Sequence, residues 1–285
     1  MSDRRYYSQR TGRLNETPEM TLSMLREFFV AIHTTFEGKG YFQERLGINC
    51  TDGYIPGNVG DIGLFSFRKL RRKDLFPIWT RKDNLTEDEI FDLIEFLYDH
   101  ATQPIHSSGY YHKFNDCGYH YSEFIQGGAQ EEFRKEVNDI LRDYGEGFEL
   151  SAKGEILSLP GRTLEPLLQA VLPSSESDNI TSRVELAVEK FRRRRSSLDD
   201  RRDAIRDLSD VLEYLRPQLD RVLTRQDESD LFNIANNFGI RHHNKKQRTD
   251  FDKAIWYSWI FYFYLATIHA AVRLLEKHDT QNQPS

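Results

Sequence analysis

One short segment of this sequence combines residue types that act on phosphodiesters: Ile240-Arg241-His242-His243-Asn244-Lys245-Lys246. Arginine carries a permanent positive charge on a planar fork that matches phosphate oxygens, and histidine titrates near neutral pH. An arginine beside a histidine therefore supplies charge stabilisation and proton transfer without a metal ion. This combination predicts chemistry on a phosphate-bearing substrate.

RNA suits these residues best, because its ribose 2′-hydroxyl can serve as the nucleophile. One of the two histidines would remove the hydroxyl proton while Arg241 holds the scissile phosphate. Neighbouring phosphates would contact Lys245, Lys246 or Arg248. The same segment also fits a plain turn between two helices, whose polar residues face water or bond helix-end carbonyls. Both interpretations stay open from the local residues alone.

The charge of the chain is unevenly distributed around its net value of −6. Residues 1–182 carry 20 Lys and Arg against 29 Asp and Glu, whereas residues 183–278 carry 19 against 15. Clustered basic side chains gain affinity for a polyanion by releasing its counterions. The later part of the chain is therefore the part that we expect to contact phosphates.

The densest basic run, Arg192-Arg193-Arg194-Arg195 followed by Arg201-Arg202, lies in this later part. Such a run could line a path for RNA. Asp199, Asp200 and Asp203 interleave with it, however, and could pair with it along a helix. A solvated helix face is the competing interpretation.

A second group of chemically capable residues lies in an aromatic-rich stretch and comprises His106, His112, Cys117 and His120. Their spacing fits no standard zinc finger, and His and Cys in tyrosine-rich loops often serve packing and backbone hydrogen bonds. The other cysteine, Cys50, lies far away in sequence, and neither cysteine belongs to a Cys-x-x-Cys pair. We expect no metal site and no other cofactor.

The elements that must position these residues are mostly helices in the first part of the chain. Helical spacing and a capping box at Thr86–Glu89 predict helices over about Pro18 to Glu37, Ile62 to Arg72, from Thr86 onward, and Ala129 to Tyr144. The stretches 38–60 and 102–128 are expected to be loops. Residues 147–159 have the pattern of a β-hairpin, with Gly154 suited to a positive φ.

Longer helices are predicted from Thr181 onward, because apolar residues recur there at steps of three, four and seven. Asp227 or Ser229 would cap a third helix ended by Gly239, and Thr249 or Asp250 would cap a fourth. A short helix is expected around 164–171. The sequence thus predicts a mainly α protein: an N-terminal helical domain with a small β-hairpin (1–160), a linker (161–180), a helical bundle (181–278) and a disordered tail (279–285).

Nothing in the sequence predicts a membrane span or a secretory leader. The densest apolar stretch, Ala254 to Leu275, has Lys253, His269 and Arg273 in or beside it, and the first thirty residues are polar and basic. With only 2 cysteines in the chain, a reducing cytoplasm is the expected compartment.

Two parts of the sequence resemble one family. Residues 181–278, with Phe238-Gly239-Ile240-Arg241-His242-His243-Asn244 and the aromatic run Trp256-Tyr257-Ser258-Trp259-Ile260-Phe261-Tyr262, resemble the abortive-infection C-terminal domain of the HEPN superfamily. The first part, with Gly40-Tyr41-Phe42-Gln43 and Ile94-Glu95-Phe96-Leu97-Tyr98-Asp99-His100, is similar to the N-terminal domains of AbiJ-type proteins. Together these segments cover most of the chain.

The resemblance implies a HEPN-like helical bundle, a homodimer formed through that bundle, and metal-independent ribonuclease activity in phage defence or in a toxin system. It implies that Arg241 binds phosphate and that His242 is the polar residue following it. His243 would complete the catalytic group, with Asn244, Lys245, Lys246 and Arg248 as RNA contacts. A partner or antitoxin subunit would also be consistent with such a system.

The family motif places a histidine after the arginine with four to six residues between them, whereas this chain has Lys246, Gln247 and Arg248 at the corresponding positions. His243 would have to act in its place. HEPN domains that lack the full motif can serve as RNA-binding or scaffold modules, so this is the alternative function that the sequence leaves open.

Overall fold

The chain is mainly helical in the computed structural model, with short antiparallel hairpins, which confirms the predicted fold class at this level. The structure describes residues 7–11, 19–125, 127–159, 167–168, 170, 172, 178–224, 226 and 252–281. Contacts within the chain divide it into a first unit, Met1–Ile156, and a second unit, Leu157–Ser285. Each unit has its own cluster of buried apolar side chains.

The α-helices of the described part are, in chain order, α1 (Tyr7–Arg10), α2 (Leu22–Gly38), α3 (Gln43–Leu46), α4 (Ile62–Leu70), α5 (Glu87–His100), α6 (Ala129–Leu141), α7 (Asp178–Arg192), α8 (Leu198–Leu219) and α9 (Lys253–Gln281). The strands are β1 (Ile48–Cys50), β2 (Gly53–Ile55), β3 (Gln103–Pro104), β4 (Tyr110–His112), β5 (Gly118–His120), β6 (Phe124–Ile125), β7 (Phe148–Leu150) and β8 (Ile156–Ser158). They pair as β1–β2, β3–β6, β4–β5 and β7–β8.

Helices α2, α5 and α6 build the core of the first unit. On α2, Leu25, Phe29 and Phe36 are fully buried at helical spacing, as predicted. The helix begins at Leu22 and not near Pro18, because the Thr21 hydroxyl accepts a hydrogen bond from the Met24 amide and caps it there. The capping box of α5 and the positive φ of Gly154 are both confirmed.

The two stretches predicted as loops contain short antiparallel strands, and that prediction is wrong in both places. Strands β1 and β2 lie within 38–60, and β3 to β6 lie within 102–128. Strands of two or three residues are too short to show a period of two in sequence. A tight turn after Cys50 joins β1 to β2, and Gly53 at its end has a φ of +124°.

Helices α7, α8 and α9 form the described body of the second unit, with α8 packed against both of the others. Ser197 and Asp200 form a capping box at the start of α8. The rings of Phe191 on α7 and Phe261 on α9 stack with their centroids 3.8 Å apart. Predicted features at Asp227, Ser229, Gly239, Thr249 and Asp250 lie outside the described residues, as do most of 161–180 and all but Leu167, Leu168 and Ala170 of the helix expected at 164–171.

Helix α9 is long and apolar. By length and composition alone it could cross a membrane, and 44% of its most apolar stretch is buried. The buried face, which includes Tyr257, Phe261 and Ile268, belongs to the core of the second unit. The core helix of a soluble bundle has the same composition, so the expected absence of a membrane span stays a prediction. The helix continues to Gln281, into the segment 279–285 that was predicted to be a disordered tail.

Candidate metal centre

The residues predicted to act on RNA cannot be placed by this structure. Arg241, His242 and His243, and the predicted phosphate contacts Asn244, Lys245, Lys246 and Arg248, all lie outside the described residues. In sequence they stand between the end of α8 at Leu219 and the start of α9 at Lys253. Their predicted roles therefore stay predictions.

Two arginines of the basic run that could line an RNA path make contacts within the second unit. Arg192, which ends α7, is only 9% exposed, and its Nε donates a hydrogen bond of 2.9 Å to the backbone oxygen of Ser158. The guanidinium of Arg201 lies over the Phe191 ring, 5.5 Å from its centroid, and its Nε donates to the Ser196 hydroxyl. These two arginines contribute to the packing of the second unit.

In the first unit, the structure brings together a group of residues that are separated in sequence: Cys50, His112, Cys117 and His120. One sulfur or ring nitrogen atom of each lies within 4.8 Å of those of the other three. Two thiols and two imidazoles are the ligand set of a Cys₂His₂ metal site. The expectation of no metal site was based on the spacing of these residues in sequence. Their arrangement in space instead indicates a candidate metal site.

Two hairpins supply these four side chains. Cys50 is the last residue of β1 and pairs with Gly53 across the tight turn to β2. His112 ends β4, Cys117 lies in the following connection, and His120 ends β5. Because His112 and His120 occupy strands that pair with one another, the β4–β5 hairpin holds three ligands next to the turn that holds Cys50.

The two closest contacts within the group join a sulfur to a nitrogen. Cys50 Sγ lies 3.5 Å from His112 Nδ1, and Cys117 Sγ lies 3.2 Å from His120 Nε2. His120 is only 4% exposed. Burial is the main cause that lowers its pKa, and electrostatic repulsion from the nearby His112 lowers it further. A neutral imidazole keeps a lone pair for a metal ion, so burial favours the form of His120 that can bind one.

The ring nitrogen of each histidine that faces away from the sulfurs has its own polar neighbour. His112 Nε2 lies 3.4 Å from Asp52 Oδ2, and His120 Nδ1 lies 3.2 Å from the Tyr110 hydroxyl. The backbone amide of Asp52 also donates to Cys50 Sγ at 3.4 Å. Such outer contacts fix ring orientation and support the charge on a sulfur ligand.

Contacts with the rest of the first unit hold the hairpins in place. The side-chain amide of Gln43, on α3, donates to the backbone oxygen of Tyr119 at 2.9 Å and accepts from the Tyr121 amide at 3.1 Å. The Thr51 hydroxyl, in the turn between β1 and β2, donates to the backbone oxygen of Phe114 at 3.4 Å. The Thr51 bond connects the turn after Cys50 with the connection that carries Cys117, and the Gln43 bonds fix β5 and the residue after it to α3.

A cavity of about 530 Å³ adjoins the metal-ligand group, since Cys117, Gly118 and Tyr119 form part of its wall. His33 of α2 also lines this cavity. It is only 5% exposed, and its Nδ1 has no hydrogen-bond partner among the described residues. Burial lowers the pKa of His33 to about 4, and burial also raises the pKa of Glu37, whose carboxylate lies 3.9 Å from that nitrogen. A neutral imidazole can thus accept a hydrogen bond here.

Sequence reasoning missed Cys50 and included a residue that does not belong. His106 lies in a short 3₁₀ turn, where its ring makes an edge contact with Tyr121, outside the ligand group. The usable signal was Cys117-Gly118-Tyr119-His120, because a Cys-x-x-His spacing lets one tight turn present both ligands to one ion. No local signal identifies Cys50, which lies 62 residues before His112.

Comparisons with protein-family models, with curated proteins and with solved structures find no match to this chain. The function must accordingly be inferred from the residues themselves.

Proposed function

We propose that this chain is a cytoplasmic phage-defence protein of the abortive-infection type, whose second unit is a HEPN-like bundle that cleaves RNA without a metal ion. Arg241 would bind the scissile phosphate, His242 would be the polar residue beside it, and His243 would remove the proton of the attacking 2′-hydroxyl. Asn244, Lys245, Lys246 and Arg248 would contact neighbouring phosphates.

The observation that carries this proposal is the place of the Arg-His segment in a helical unit. The structure packs α8 directly against α9, and residues 241–248 lie in sequence between Leu219, the end of α8, and Lys253, the start of α9. A bundle of packed helices is a rigid scaffold, which suits a site that must orient a phosphodiester. The resemblance to the HEPN superfamily supplies the assignment of roles.

The exposed apolar surface of α9 supports the dimer that this type of site requires. Ile255 is 66% exposed, Trp259 46% and Leu274 42%, although they lie on a helix whose opposite face is buried. The Trp259 ring stacks on Phe263 with centroids 5.4 Å apart and meets Trp256 edge-on. We propose that a second copy of this chain covers this surface, because aromatic and aliphatic side chains are enriched at the centres of interfaces.

A second candidate function is favoured by a specific feature of the sequence. Lys246, Gln247 and Arg248 stand where the family motif has its histidine. A bundle that keeps the basic segment but lacks the proton acceptor would bind RNA, or a partner or antitoxin subunit, without cleaving it. In that case the chain would be a scaffold or sensor subunit of a defence complex.

Cleavage of total cellular RNA by the purified full chain tests these alternatives. Wild type is compared with Arg241→Ala and His243→Ala, with and without EDTA, and circular dichroism establishes that each variant is folded. His278→Ala is the matched control, because Arg273 and His278 repeat the motif spacing by chance near the end of α9.

We expect cleavage by wild type in EDTA and no change in the control. The loss should be at least a hundredfold in His243→Ala, as for removal of a general base, and in Arg241→Ala, as for removal of a group that stabilises transition-state charge. RNA binding without cleavage would favour the scaffold function. Equal activity of wild type and His243→Ala would remove His243 from the catalytic role.

A further inference from the structure

We propose that Cys50, His112, Cys117 and His120 bind one Zn²⁺ ion in a closed, tetrahedral site that stabilises the first unit. The site lies apart from the RNA-directed residues in sequence and needs no RNA for its test. It goes beyond the proposed function, and either can fail without the other.

The spacing of the four side chains is that of a tetrahedral site. Zinc bonds of about 2.3 Å to sulfur and about 2.0 Å to nitrogen, at tetrahedral angles, place a sulfur and a nitrogen ligand about 3.5 Å apart. The separation is 3.5 Å between Cys50 Sγ and His112 Nδ1 and 3.2 Å between Cys117 Sγ and His120 Nε2. All four ligand atoms fit within 4.8 Å of one another, so small rotations of the side chains suffice to coordinate one ion.

Each histidine directs one ring nitrogen towards a sulfur of the four-residue group, Nδ1 for His112 and Nε2 for His120. Asp52 faces the Nε2 of His112 and leaves Nδ1 for the metal, whereas Tyr110 faces the Nδ1 of His120 and leaves Nε2. Metal-binding histidines commonly have a hydrogen-bond partner on the second nitrogen, and a carboxylate in that position strengthens the metal bond. Two such contacts in one cluster are difficult to explain by packing alone.

The donor set selects zinc and a structural role. Two thiolates and two neutral imidazoles suit a borderline-soft ion with tetrahedral geometry, whereas magnesium and calcium prefer oxygen ligands. On binding, each thiol would lose its proton to solvent, and the two thiolate charges would balance the charge of the ion. Four protein ligands leave no open position for a substrate, which distinguishes this site from a catalytic zinc site.

The surrounding fold explains why an ion is needed here. The β1–β2 and β4–β5 hairpins have strands of only three residues, and isolated two-stranded hairpins are at best marginally stable in water. Their aromatic residues face solvent to a large degree, with Tyr110 60% exposed, Phe114 58% and Tyr119 51%. Since these hairpins bury little apolar surface, a metal ion that joins them supplies the missing stability.

The metal content of the full chain tests this proposal. The protein is expressed with zinc in the medium and purified without chelator or polyhistidine tag, and its zinc is measured by mass spectrometry. We expect about one zinc per chain in wild type and a loss of most of it in Cys50→Ser, Cys117→Ser and His112→Asn. His106→Asn is the matched control, since it removes a histidine of the same segment that lies outside the group, and it should keep its zinc.

Cobalt substitution keeps the proposal testable if a ligand variant fails to fold. Wild-type protein stripped of metal and titrated with Co²⁺ should show the visible absorption of tetrahedral cobalt together with thiolate-to-metal charge transfer, with saturation at about one equivalent. A spectrum of octahedral cobalt without charge transfer would overturn the proposal.

Two further results would also overturn it. One is a folded wild type that stays free of zinc after incubation with the ion. The other is a disulfide between Cys50 and Cys117 in protein purified under reducing conditions, shown by the absence of thiols after denaturation in the presence of a chelator. Because neither readout involves RNA, a protein that binds zinc but cleaves no RNA would refute only the ribonuclease proposal.

Discussion

The hydroxyl of Tyr110 lies 3.2 Å from Nδ1 of His120, its partner across the β4–β5 ladder. This contact leaves His120 Nε2 directed at Cys117 Sγ, 3.2 Å away. The cross-strand register therefore determines which nitrogen of a buried histidine is available to a metal ion. A shift of one residue in the register would turn one side chain of this pair to the other face of the hairpin.

Replacing Tyr110 with phenylalanine should weaken zinc binding by about tenfold, because loss of an outer contact to a metal-bound histidine typically costs that much or more. The dissociation constant would be measured by competition with a chromophoric chelator. Tyr119→Phe is the matched control, since Tyr119 lies on β5 next to His120 and shows no hydroxyl contact to the four ligands among the described residues. Equal affinities in the two variants would show that Tyr110 does not orient His120.

The burial of His33 should make the first unit less stable in mild acid. Its pKa is about 4 in the folded chain and 6.5 when exposed, so between these values the unfolded chain binds more protons. Stability then rises with pH across this window and falls as the pH drops from 6.5 towards 4. Between pH 7 and pH 5, the titration of His33 lowers the free energy of unfolding by about 2 kcal/mol.

His33→Phe should remove this loss while keeping the stacking contact with Phe42, whose ring centroid lies 5.6 Å away. The measurement is hydrogen exchange of α2 peptides at pH 7 and pH 5, corrected for the intrinsic rate at each pH. Comparison with wild type isolates the contribution of His33 from that of other groups that titrate in the same range. An identical pH dependence in both proteins would refute the prediction.

Arg192 should contribute more to the stability of the second unit than to RNA binding. Replacing it with alanine removes the hydrogen bond to the Ser158 backbone oxygen and should lower stability by about 2 kcal/mol, the usual cost for a bond to a charged group. Arg206→Ala, on the exposed side of α8, is the control with the same change in charge. Thermal unfolding of both variants gives the comparison. A larger loss in the control would contradict the structural role of Arg192.

The proposed dimer predicts that charge on the exposed face of α9 separates the two copies. Ile255→Glu combined with Trp259→Glu should convert a dimer into a monomer of 33.6 kDa, because two carboxylates cannot be buried without partners at an apolar interface. Light scattering after size exclusion measures the mass. Leu64→Glu, at a leucine that is 73% exposed in the first unit, should leave the dimer intact. A monomeric wild type at micromolar concentration would exclude this dimer.

Features that depend on a few neighbouring residues were open to prediction from the sequence. The capping box at Thr86 and Glu89 and the start of α5 follow from hydrogen bonds within one turn of helix. The positive φ of Gly154 follows from the geometry of a single tight turn. The strands within 38–60 and 102–128 were missed, because strands of two or three residues carry no readable period, whereas the β7–β8 hairpin was predicted together with the turn at Gly154.

The mainly helical character of the chain, the long helices of its second part and the residue types available for chemistry follow from the sequence alone. Helical periodicity and capping are properties of local hydrogen bonding and of one buried face, so they can be read along the chain. Only the tertiary structure brought Cys50 to His112, Cys117 and His120, and only the tertiary structure excluded His106. The reason is that a metal site depends on the positions of ligand atoms in space, which here are set by the meeting of two hairpins and the hydrogen bonds of Gln43 and Thr51.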